Sequence, residues 1–103
     1  MPITYVPGHG KTRFLNTVSL NPASVAAATT AGQTFTVASN PGLKGIKVGI
    51  PTEVFYAAAP EFSDLHIHSA RVDAADTLTI VFTNSNAVSA RDAAAANFIV
   101  IQR

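Results

Sequence analysis

The chain has 103 residues, enough for one hydrophobic core and too few for two. Hydrophobic residues make up 48% but charged residues only 13%, about half the ~25% usual for soluble domains, and the net charge is +1. Seven scattered basic residues argue against electrostatic capture of nucleic acid or of an acidic membrane, and the absence of cysteine excludes disulfides, thiolate chemistry and Cys-ligated zinc. Faces of Thr, Ser, Ala and Asn with so few charges suit contact with other subunits. With no apolar run near 18 residues and no charged n-region ahead of an apolar stretch, neither a membrane span nor an export signal is expected.

Residues 1–15 place Pro2, Pro7, Gly8 and Gly10 among Ile3, Tyr5, Val6, Phe14 and Leu15 without steady periodicity, which predicts an extended arm ahead of one domain at 16–103. Apolar side chains on such an arm are costly in water, so it should be pinned on its own domain or on a neighbouring subunit. Tyr5, Lys11, Arg13, Phe14 and Leu15 are its candidate partner-binding residues. Gly8-His9-Gly10-Lys11-Thr12 looks like the tail of a phosphate-binding loop. That motif needs glycine where Tyr5 stands and a strand ahead of it, so a hinge is expected instead.

A first strand is predicted at Asn16–Leu20, where Val18 and Leu20 alternate with Thr17 and Ser19 before Asn21-Pro22 stops the run. Ala23–Gly32 reads as a loop or single turn, too short and too rich in threonine for a helix. A second strand is expected at Gln33–Ala38, with Phe35 and Val37 inward, followed by a turn at Ser39-Asn40-Pro41-Gly42. Leu43–Gly49 reads as a loop or short edge strand, and Thr52–Ala57 as a third strand entered after Pro51.

The segment from Asp64 to Thr83 predicts a hairpin. Leu65 and Ile67 share a face with Leu78, Ile80 and Phe82, Thr77, Thr79 and Thr83 look outward, and Val72–Asp76 makes the turn. Asn84–Ala96 is polar and alanine-rich, with Asp92 placed to cap a single helical turn through Ala96. Phe98-Ile99-Val100-Ile101 reads as a last strand buried on both faces. Six short strands at spacings near ten residues predict an all-β protein, an antiparallel sandwich or small barrel.

Chemistry-bearing side chains are few. His66 and His68, two apart on a strand, could begin a metal site, but a zinc site wants about four ligands and only Asp64 or His9 could complete it, so a solvent or subunit-contact face is the reading. Asp73 and Asp76 sit in an alanine-flanked turn rather than a cleft. No Gly-x-Ser-x-Gly elbow occurs. No catalytic, cofactor or metal residue is therefore assigned, and the chain reads as a non-enzyme.

The order of features resembles small β-sandwich structural proteins of tailed-bacteriophage virions. Thr17–Thr30, Gln33–Val37, Gly45–Pro51, Leu65–Asn84 and Phe98–Ile101 carry the likeness, above all Ala70–Asn84 followed by an alanine-rich loop and a last strand. It spans roughly residues 16–103. The resemblance implies a jelly-roll or immunoglobulin-like β-sandwich, and a cement or decoration protein on the outer capsid surface that binds the major capsid protein and itself as a dimer or trimer, made in the host cytoplasm. A tail- or fibre-associated module is the alternative within the virion. Outside it, a carbohydrate-binding sandwich would need exposed aromatics, and only Tyr5 and Tyr56 are offered, with no tryptophan.

Overall fold

Period-two alternation marks strands that must pair with neighbours, and the computed structural model, which describes residues 14–60, 62–93 and 95–103, pairs every strand with at least one other strand of the chain. Six strands form: β1 Phe14–Leu20, β2 Thr30–Thr36, β3 Thr52–Tyr56, β4 Leu65–Ala74, β5 Thr77–Asn84 and β6 Ala96–Gln102. They make two antiparallel sheets of three, ordered β1-β6-β3 and β2-β5-β4. The architecture is all-β, compatible with a sandwich.

The inner faces of both sheets close on one core. Val18, Leu20, Val54, Phe98 and Val100 come from the first sheet, and Phe35, Leu65, Val72, Leu78, Ile80 and Phe82 from the second. Phe82 meets Phe98 edge to face, with ring centroids 6.4 Å apart, an arrangement aromatic pairs favour. Leu43, the last residue of a 3₁₀ turn at Pro41–Leu43, and Ile46 in the loop after it join this core. Gly42 lies against Val18, where an added Cβ would come within 3.1 Å of a methyl group.

Several expectations are corrected. β1 begins at Phe14, so Phe14 and Leu15 belong to a strand rather than to the arm, while Tyr5, Lys11 and Arg13 lie outside the described residues. β2 runs Thr30–Thr36, earlier than the expected Gln33–Ala38, because Thr30, Ala31 and Gly32 find partners in Thr83, Phe82 and Val81. β4 continues to Ala74, so Val72 and Asp73 are strand residues and the turn shrinks to Ala75-Asp76, with Asp76 at φ 54. The burial of Val72 in the core outweighed the turn preference of Asp73.

No helical turn follows Asp92 among the described residues, because Arg91 bridges Val25 instead and β6 starts at Ala96. Thr79, expected to face solvent, is only 6% exposed between its neighbours Thr34 and Arg71. β6, expected to be buried on both faces, is buried on one. Phe98, Val100 and Gln102 are covered, but Ile99 and Ile101 are only half-buried, since no layer of described residues lies on the outer side of their sheet.

Candidate functional site

The outer side of the β1-β6-β3 sheet, left uncovered by the described residues, is the candidate site. Strand register sets Leu15, Ile101 and Glu53 in one rank across the sheet, and Thr17, Ile99 and Phe55 in the next. All alternate with core residues, so all project from the outer face. Leu15 is 63% exposed and Phe55 47%, with the half-buried Ile99 and Ile101 between them. The result is a contiguous apolar patch on a sheet whose other face is already committed to the core. Arg103, whose Nε donates to Glu53 Oε1 at 2.9 Å, is an ion pair at its border. A lone exposed leucine needs no explanation, but a stripe crossing three strands marks a contact surface.

The outer face of the other sheet is different in kind. Thr30, Thr34 and Thr36 stand beside Thr83, Thr79 and Thr77 with Gly32 and Val81 among them, and the Thr30 and Thr83 hydroxyls are 2.9 Å apart. Such hydroxyls are at ease in water. Of the two faces, the apolar one is the one that gains from being covered.

Of the residues singled out in the sequence, Leu15 lies in this patch. Phe14 does not: its side chain packs against the core and runs beside Gly45, whose backbone sits at φ 108. Phe55, Ile99 and Ile101 were missed as surface residues. The signal was present in part, since the Thr52–Tyr56 strand offers Phe55 on the face opposite Val54.

His66 and His68 are both exposed, but a bulge between Ile67 and Ser69 makes His68 an extra residue in β4. His66 Nε2 lies 3.4 Å from Ser85 Oγ, and His68 lines a groove with Thr52–Phe55. No group of three or more metal-ligating side chains forms among the described residues. Of the two residues that could have completed such a site, His9 lies outside the described residues and Asp64 is already engaged: Asn86 Nδ2 donates to it at 3.0 Å and Arg91 Nε at 3.2 Å. Those bonds, with the Asn86 contribution the larger, hold its carboxyl below the usual carboxylate range. Asp73 accepts from Arg71 Nε at 2.8 Å on the strand surface and does not meet Asp76 in a cleft.

A cavity of about 440 Å³ is lined by Tyr56, Phe62 and Leu65 together with Ala57, Ala58, Ala59, Ala93, Ala95 and Ala96. Tyr56 donates its hydroxyl to Leu65 O at 3.2 Å, and burial raises its pKa. It is the one titratable group among the described lining residues, so the cavity offers shape and apolar surface rather than acid-base chemistry. The Tyr56 ring packs on Phe98 with centroids 5.2 Å apart. Arg91 lies over the Phe62 ring at 4.5 Å and closes this corner. No known protein family, curated protein or solved structure matches this chain.

Proposed function

We propose that the chain is a non-catalytic structural module that docks on a larger assembly through the outer face of the β1-β6-β3 sheet. The observation that carries this is the apolar patch of Leu15, Phe55, Ile99 and Ile101 on a sheet face that the described residues leave uncovered. Together with the charge-poor surface, it supports a cement or decoration protein that binds the major capsid protein on the outside of a tailed-phage capsid and associates with itself as a dimer or trimer. Cementing works because surface buried across subunit boundaries stabilises the closed shell over a swollen one. Fully covering a large apolar side chain contributes about 1.5–3 kcal/mol. Leu15 and Phe55, each roughly half exposed, would supply about half of that apiece.

The winding we infer is a jelly roll. In its support, β1→β2, β2→β3, β3→β4 and β5→β6 each switch sheets, β4→β5 is the one hairpin, and the last two strands fill the centres of both sheets. A binding rather than catalytic role fits the Ser85–His66 pair, since Asp64 bonds Asn86 and Arg91 instead of orienting that imidazole. Tyr5, Lys11 and Arg13 would add reach along a neighbouring subunit, with the two cations meeting acidic capsid residues.

Co-sedimentation with capsids stripped of the protein tests this reading. Leu15→Glu and Phe55→Glu should abolish occupancy while leaving the circular dichroism spectrum unchanged, and deleting residues 1–13 should weaken it. Undiminished binding and undiminished heat resistance of the particles with both glutamate variants would refute docking by this face.

A further inference from the structure

The two sheets have four edges, and the chain treats them unequally. At the β1 edge the Asn16 side chain accepts from Thr17 N at 3.0 Å and donates to Gly42 O at 2.9 Å. Beside β2, the Gln33 amide pairs with both N and O of Ala23, at 2.7 and 2.8 Å. β4 is broken by two bulges, and Gly49 N donates to Val72 O. Bulges and covering loops are how natural sheets blunt their edges. Among the described residues β3 has no such cover.

Backbone bonds alternate along an antiparallel pair. Ala57 N donates to Asn97 O and Arg103 N to Pro51 O, so Glu53 and Phe55 spend their amides and carbonyls on β6. Thr52, Val54 and Tyr56 then turn theirs to the open side, and among the described residues no backbone bond joins β3 to β4. Below this edge runs a groove of about 320 Å³ between Thr52–Phe55 and Ile67–Ala70.

From this geometry we infer that β3 accepts an extended segment of another polypeptide as a fourth strand of the β1-β6-β3 sheet. The match is one of charge: alternating amide and carbonyl partial charges at strand spacing are complemented by a second extended backbone. Side chains of the incoming strand that fall beside Phe55 prolong the apolar patch, and those between them face the groove with Ile67 and Ala70, so the segment carries apolar residues at consecutive positions. Five residues of β3 span ~17 Å, and a strip one strand wide falls far short of the ~800 Å² per partner that a stable dimer needs. A segment of a larger partner fits better than a second copy held by this edge alone. The inference stands whether or not that partner belongs to a capsid.

Amide hydrogen exchange of the ¹⁵N-labelled full chain tests it, with the capped peptide Lys-Thr-Val-Ile-Val-Thr-Lys as probe. The free chain should exchange the Thr52, Val54 and Tyr56 amides rapidly. Peptide at ten times its Kd should slow them by roughly tenfold. A peptide with proline in place of the central isoleucine should not, and Ile67→Lys should weaken the effect. Val54→Pro should abolish it; if that variant does not fold, Ile67→Lys and the proline peptide decide. Equal slowing by the proline peptide, or none by either, overturns the inference. So does protection without peptide, whether concentration-independent, which would assign the edge to residues 1–13, or growing with protein concentration, which would assign it to a second copy.

Discussion

Replacing Gln102 by leucine removes a polar clamp from a site that is 0% exposed. Its Nε2 donates to Lys47 O at 2.8 Å and to Thr52 Oγ1 at 3.0 Å, while its Oε1 accepts from Lys47 N at 2.8 Å. This one side chain thus satisfies both backbone groups of Lys47 and ties the 43–50 loop to the end of β6. Leucine keeps most of the volume but forfeits three hydrogen bonds worth about 1 kcal/mol each, and leaves the Lys47 amide and carbonyl without a partner. The expected loss is ~2–4 kcal/mol out of the ~5–15 kcal/mol typical of a whole domain. For a chain of this size that lowers Tm by roughly 10–25 °C. Urea and thermal unfolding followed by circular dichroism read this directly. Lys47→Ala is the companion measurement: it removes only an exposed side chain and should stay within about 0.5 kcal/mol of the parent. Parental stability for Gln102→Leu, or an equal loss in Lys47→Ala, would refute the clamp.

Ala28 sits at φ 54, a left-handed conformation that strains a side-chain-bearing residue by ~1–2 kcal/mol. Ala28→Gly should relieve it and, after the added unfolded-state entropy, raise stability by roughly 0.5–1 kcal/mol in urea unfolding. Gly49 is the reverse case: at φ 78 with open space around a would-be Cβ, Gly49→Ala should cost about 1 kcal/mol through backbone strain alone, read as a lower Tm. Asp64 carries a pH dependence. Because Asn86 and Arg91 lower its pKa from 3.8, it stabilises the fold when ionised, a contribution complete at neutral pH and lost as the pH falls through the lower folded value. The stability difference between the parent and Asp64→Asn should therefore be steady from neutral pH down to about 5 and shrink below about 4; a difference that grows with acid would contradict the sign.

The sequence alone determined that this chain is built of strands, where most of them lie, and that β4 and β5 form a hairpin. Alternation and turn residues act through local backbone geometry, so Val18 and Leu20, Phe35, and Leu78, Ile80 and Phe82 declared their buried face before any partner was known. What the outside of a strand meets is not local. In Phe98-Ile99-Val100-Ile101 the apolar run is equally consistent with cover on both sides or on one, and only the tertiary arrangement sets Ile99 and Ile101 beside Leu15 and Phe55 on a face that the described residues do not cover. The same holds for Gln102, whose burial depends on a loop 55 residues away in sequence, and for His68, whose bulge arises from how β4 registers against β5. Periodicity reports how a residue faces its neighbours along the chain; which faces are covered depends on how the two sheets are stacked.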